Sequence, residues 1–291
     1  MKRASISILL SLIIILFIIS CSKTDSSGSS QTNNIIDHRC TKLSKIPQSA
    51  IANTRGKLNI AYMHSWNTGS QIISGMRGLI VFKGALYNYN ENGSNSTLYI
   101  KEPTLRTAND LGSPNDSAWA VATRAYLDTS KSTNVVVWSW GDQVSNMASK
   151  DITKYLNLMS ELEKSYTKVK FVYMTGHIDG TGLTDNLFLR NEQIRKYCRD
   201  NNKFLYDFAD IESYNPDGTY FGAKLVNENC DYDKNNSGKL EGNWAKEWQD
   251  SHIKDIDWYD CSPANTQSLS ANLKAYAAWW LWARLAGWDG N

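Results

Sequence analysis

Ile60-Ala61-Tyr62-Met63-His64-Ser65-Trp66-Asn67-Thr68-Gly69 carries the architecture of this chain in miniature. An apolar, strand-like run, 58–63, ends in a polar group with a serine beside a histidine, and a helix-like segment, 71–83, follows. In α/β proteins, side chains at the C-terminal end of such a strand border the crevice where ligands bind. Three more runs read as buried strands, at 134–140, 169–174 and 204–208. Each is short, β-branched or aromatic, and bounded by polar residues or glycine. Apolar residues at helical spacing fill the intervals at 117–127, 150–166 and 186–201. A last helix is expected over 268–286, with Gly287 where a helix-ending glycine is favoured. Strands alternating with helices of this length predict an α/β fold, a three-layer, doubly wound parallel sheet in a single domain. The turn signal Glu91-Asn92-Gly93 marks 87–99 as an irregular excursion or a hairpin.

Working outward to the N-terminus, Lys2 and Arg3 precede an apolar run at 6–19, which ends in Ser20-Cys21. A basic start, a short apolar core and a small residue before the cut read as an export signal, too short for a comfortable membrane span. Residues 1–20 are therefore expected to be removed. Residues 21–50 should form a tether, because 22–34 is rich in Ser, Thr and Asn and cannot bury enough surface to order itself. The folded domain is expected over 51–291. The chain has 31 Lys+Arg against 29 Asp+Glu, and loss of Lys2 and Arg3 brings the two counts level. That balance argues against nucleic acid as a partner. Beyond Cys21, the cysteines Cys40, Cys198, Cys230 and Cys261 allow three disulfide connectivities. The pairing Cys230–Cys261 would close the loop-rich region before the last helix. None has the C-x-x-C spacing of a zinc site.

Residues just beyond the strand ends converge on one rim of such a sheet: His64 and Ser65, Gly141-Asp142-Gln143, Gly176-His177-Ile178-Asp179, and Asp207 with Asp210. Ser65 is the candidate nucleophile and needs a base and oxyanion donors. His177 is the candidate base, with Asp179 near enough in sequence to orient it. His64 adjoins Ser65, but adjacent strand residues point to opposite faces. A second constellation begins at Asp231. Counted from Asp233, the oxygen-bearing Asp233, Asn235 and Ser237 fall at positions one, three and five, with Gly238 at six, as an EF-hand loop opens. Trp244 occupies the position of the bidentate glutamate, so Glu241 or Glu247 would have to complete the site. A structural calcium bound by Asp231, Asp233, Asn235, Ser237 and Glu241 is one reading, and a solvated polar turn is the other. Of the 11 tryptophans, Trp66, Trp140, Trp244 and Trp248 are candidates to border a cleft, while Trp279, Trp280, Trp282 and Trp288 read as core anchors on or after the last helix.

The spacing Ser65-x-x-x-Gly69 resembles the first block of the SGNH/GDSL hydrolases, with Met63-His64 in place of their Gly-Asp. Longer stretches carry the same likeness, among them Phe171-Val172-Tyr173-Met174-Thr175-Gly176-His177, Leu205-Tyr206-Asp207-Phe208-Ala209-Asp210 and Ala278-Trp279-Trp280-Leu281-Trp282-Ala283-Arg284. From 58 to 288 the chain resembles SGNH-hydrolase-like surface lipoproteins of the Bacteroidetes type. The resemblance implies a flavodoxin-like sheet and an exported protein anchored to the outer membrane or cell surface only through lipid on Cys21. It further implies a serine esterase or deacetylase acting on an acylated glycan, with no required cofactor. Ser65 takes the nucleophile slot, Gln143 with Gly141 stands where the family carries an oxyanion amide, and Gly112 matches the glycine of the second block. The family's histidine precedes the last helix, and Asn265 stands in that slot here. A neutral amide cannot take the serine proton, so the alternative is an inactive scaffold that binds glycan or another surface ligand.

Overall fold

Ile60 and Tyr62 face one side of the sheet and Ala61 and Met63 the other, and this alternation builds two apolar layers. The computed structural model describes residues 34–64, 68–92, 97–103, 105 and 117–291, all within one compact unit. The apolar run 6–19, Cys21, Ser65, Trp66 and Gly112 lie outside the described residues. Along the chain come β1 (Ile35–Ile36), α1 (Gln48–Ala52), β2 (Asn59–His64), α2 (Thr68–Lys83), β3 (Tyr89–Asn90) and β4 (Leu98–Lys101). Next are α3 (Ala118–Thr129), β5 (Val135–Ser139), α4 (Gln143–Asn146), α5 (Ser149–Ser165), β6 (Lys170–Met174) and α6 (Asn186–Asp200). The chain continues through β7 (Phe204–Tyr206), α7 (Phe208–Glu212), β8 (Asp231–Tyr232), β9 (Gly242–Asn243), α8 (Trp244–Asp250) and α9 (Ser268–Leu285).

Seven strands form an all-parallel sheet in the order β1-β7-β6-β5-β2-β4-β3. Without the two-residue edge strands β1 and β3, the order is that of a flavodoxin-like doubly wound sheet. The chain leaves β2 toward β4 and then returns to β5 on β2's other side. The C-terminal ends of β2 and β5 therefore flank the switch crevice, with His64 opposite Ser139.

One layer packs Ile60, Tyr62, Val135, Val137, Val172 and Met174 against α2 and α9. Helix α9 is buried nearly all round, as its run of Ala, Leu and Trp requires. Gly75 lets α2 approach it closely, since a Cβ there would lie 2.1 Å from the Ala271 carbonyl oxygen. The other layer packs Met63, Val136, Trp138, Phe171 and Tyr173 with Trp119 and Tyr155, from α3 and α5. The main strands and helices lie within a few residues of the sequence expectation.

Four sequence expectations change. The tether expected to run to residue 50 ends earlier: the Asn34 carbonyl accepts from Leu205 N at 3.0 Å, and Ile36 is fully buried beside β7. A two-residue strand carries no periodic signal, which hid it. The 87–99 excursion contains β3 and β4 paired in parallel, with Tyr89 opposite Leu98, so it is not a hairpin. Trp140 stacks on Trp138 at 5.0 Å and Trp244 packs on Phe221 at 5.9 Å, both in the core rather than along a cleft. Cys230 and Cys261 are separate thiols, as are Cys40 and Cys198. Cys230 faces the Thr266 hydroxyl, whereas Cys261 lies against the Ser268 carbonyl and the Asn272 amide. Burial pushes both thiols up to about 11, so neither is held as a thiolate.

Candidate active site

His177 stands three residues beyond β6, on a loop pinned from several sides. The Thr175 hydroxyl donates to Asp207 Oδ1 at 3.1 Å and accepts from Ala209 N at 3.0 Å. The buried Asn191 side chain clamps Gly176, accepting from its N–H at 2.9 Å and donating to its carbonyl at 3.2 Å. A Cβ at Gly176 would meet Val144 of α4 at 2.7 Å, so the glycine lets the histidine loop press onto the loop after β5.

That approach delivers Asp142. Its Oδ1 lies 2.7 Å from His177 Nε2, and Nδ1 lies 2.9 Å from the Ile178 carbonyl oxygen. A carbonyl can only accept, so Nδ1 carries a hydrogen. In the imidazolium form both ring nitrogens donate to oxygen. The imidazole side chain is 8 % exposed and the Asp142 side chain 83 %. Burial disfavours the charged ring, but the Glu212 and Glu228 carboxylates, the Ile178 carbonyl and Asp142 outweigh it, and the His177 pKa is raised above its ordinary 6.5.

Beneath this loop runs a buried polar chain. Ile178 N–H donates to Glu212 Oε2 at 2.9 Å, and Glu212 Oε1 pairs with the Lys274 ammonium at 2.7 Å. Lys274 and Glu212 are 0 % and 1 % exposed. The Lys274 ammonium donates to Gln71 Oε1, and the Gln71 amide donates to Glu228 Oε1. Gln71 stands on the first turn of α2, so α9, α7, α2 and the histidine loop meet at one end of the sheet. A second imidazole–carboxylate pair closes β2, with His64 Nε2 2.9 Å from Glu102 Oε2. Adjacent strands lie roughly 4.8 Å apart, so two strand steps, on the order of 10 Å, separate the β2 and β6 edges. Sequence reasoning set His64 aside and gave no site role to Glu102, Gln71, Glu212, Glu228 or Lys274. The one available signal was a lysine within the Ala/Leu/Trp run of the last helix.

The remaining candidates fall as follows. Gly141 links β5 to α4, and Gln143 opens α4 on the same edge, next to Asp142. Asp179 does not orient His177. Its carboxylate accepts from the Thr181 N–H and hydroxyl, closing a local turn, and Asp142 holds the ring instead. Asp207 is buried and bound by Arg195 at 2.6 and 2.7 Å, which makes it a structural partner. Asn265 is exposed, with φ +57°, in the turn before α9.

In the acidic loop the candidate calcium ligands hydrogen-bond to neighbouring groups of the chain. Asp231 accepts from the side-chain amides of Asn229 and Asn243 at 2.9 and 2.7 Å. Asp233 accepts from the Ser237 and Gly238 N–H groups, backbone bonds that outweigh desolvation and hold its carboxyl below the usual range. Asn235 is exposed, and the Ser237 hydroxyl donates to Glu241. Among the described residues, the one trio of His and acidic groups close enough for a shared ion is Asp37, His38 and Asp210, beyond β1 and β7. There Arg39 already grips Asp37, and His38 Nδ1 already meets Asp210 at 2.5 Å.

Comparisons of the chain with family models, with curated proteins and with solved structures give no match.

Proposed function

We propose that this protein is a serine ester hydrolase, an esterase or deacetylase of an acylated glycan, with His177 as its proton acceptor and Ser65 as its nucleophile. The observation that carries the reading is the setting of His177 at the strand edge. Its Nδ1–H is fixed on a backbone carbonyl, and its Nε2 meets, among the described residues, the exposed carboxylate of Asp142. In the reaction, Asp142 swings aside and neutral His177 takes the Ser65 proton while Oγ attacks the ester carbonyl. The Gln143 amide and the backbone at Gly141 and Gly112 stabilise the oxyanion. The intermediate collapses as His177 returns the proton to the departing sugar oxygen. Water then attacks the acyl-Ser65, with His177 again as base, and frees the acid and the serine.

Covalent labelling tests the nucleophile. A fluorophosphonate probe should add one phosphonyl group to Ser65, and Ser65→Ala should abolish the adduct. Labelling at another residue, or none in a folded protein, overturns the assignment. One observation favours a second reading, a glycan-binding scaffold without turnover: exposed Asn265 supplies no base in the turn where the resemblance expects one. Retained glycan binding without any ester hydrolysis would support it. In either reading, lipid on Cys21 holds the exported domain at a membrane surface. No helix among the described residues is long and apolar enough to cross a membrane.

A further inference from the structure

Helix α9 offers an apolar setting: Ala271, Leu273, Ala275, Ala277 and Ala278 are all buried around Lys274. A lysine at 0 % exposure in such a helix is a costly choice for packing alone. Desolvating a buried ion pair commonly outweighs its Coulombic gain, and an apolar pair of similar volume is often as stable or more so. What the pair does supply is connection. Glu212 holds the Ile178 N–H beside the imidazole, Lys274 holds Glu212, and Lys274 also fixes Gln71. The Gln71 amide has only one productive orientation here, with its oxygen on the ammonium and its NH2 on Glu228. The ammonium also lies 4.6 Å from the centre of the Phe208 ring, which leaves it little freedom to move.

We infer that the buried Lys274–Glu212 pair is a positioning element for His177, tying the imidazole loop after β6 to the first turn of α2, the helix that follows Ser65. The inference rests on the hydrolase reading for its catalytic consequence but not for its structural one. The charged groups facing the imidazole are Asp142 from the cap of α4, Glu212 from α7 and Glu228 from the loop before β8, with the Lys274 charge from α9 behind the two glutamates. Glu212 therefore acts on His177 in two ways. It fixes the loop through Ile178, and its negative charge favours the imidazolium. Lys274 pairs with that carboxylate and holds it in place.

The test is the double variant Lys274→Met/Glu212→Gln, in which glutamine keeps an acceptor for Ile178 N–H and both members of the ion pair are removed together. A role limited to stability would shift the melting temperature and leave the ring titration and kcat as in the native protein. The positioning role predicts native-like thermal stability, a titration midpoint of the His177 ring lowered by about one pH unit, and kcat down about tenfold or more with KM little changed. The ring is followed by NMR of histidine-labelled protein and assigned by the resonance lost in His177→Gln. If the double variant fails to fold, Lys274→Gln/Glu212→Gln, which also removes both members of the ion pair, must lower the midpoint. An unchanged midpoint in the folded variant overturns the inference. Because NMR reads the ring without substrate, a protein that hydrolyses no ester while its midpoint still falls sinks the hydrolase reading and leaves the positioning element standing.

Discussion

Asp142 and Glu212 do different work on the same imidazole, and substitution separates them. Asp142 is exposed, so Asp142→Asn should change stability by less than about 1 kcal/mol in chemical denaturation. It should nevertheless lower the His177 midpoint, because Nε2 loses a charged acceptor. The sign of the pH dependence follows from the raised pKa. A base must be neutral, so hydrolysis should climb with pH through a midpoint above 6.5, and Asp142→Asn should move that limb downward. For stability the direction reverses. Imidazolium contacts stabilise the fold fully below the unfolded-state value of about 6.5 and are lost as pH rises through the folded-state midpoint. A pH–rate profile whose acid limb lies at or below 6.5 would contradict the assignment of His177 as base.

The contact between α2 and α9 carries the sharpest prediction among the elements. Gly75→Ala places a Cβ 2.1 Å from a backbone oxygen of α9, which has no flexible end to yield. We expect a loss of about 3 kcal/mol or more, read from the urea midpoint, since overpacking alone costs about 1–3 kcal/mol. Gly176→Ala should act differently. Its Cβ meets Val144 Cβ at 2.7 Å, which yields only if the short helix α4 moves, so Asp142 should move away from His177. An unchanged urea midpoint in Gly75→Ala would mean that the two helices do not pack as closely as described. These elements also show what the sequence could express. Strands β2, β5, β6 and β7 were legible because burial on both faces demands continuous apolar runs. Strands β1 and β3, two residues each, had no period to read. His177 was legible from its place after a strand, whereas its true carboxylate partner lies 35 residues away on a neighbouring loop. Asp179, two positions along, was the only partner that sequence proximity could offer. The Lys274 network is formed by residues as far as 203 positions apart and leaves no local pattern.

At the scale of the whole molecule, the parallel sheet brings the ends of β2, β5 and β6 to one edge and leaves the chemistry to the loops beyond them. The same edge holds three imidazole–carboxylate pairs, His38–Asp210, His64–Glu102 and His177–Asp142, and the buried Lys274 chain. Upstream, the proposed lipid anchor predicts that Cys21→Ala releases the protein from the membrane fraction. Its retention there would contradict lipidation as the anchor. The central claim is that this edge hydrolyses an acyl ester through His177, and acetate release from an acetylated oligosaccharide at pH 8 tests it most directly. The account predicts turnover by the native protein and a loss of about 10²–10⁴-fold in a folded His177→Gln variant. Equal rates in the two proteins, or no acetate from either, would contradict it.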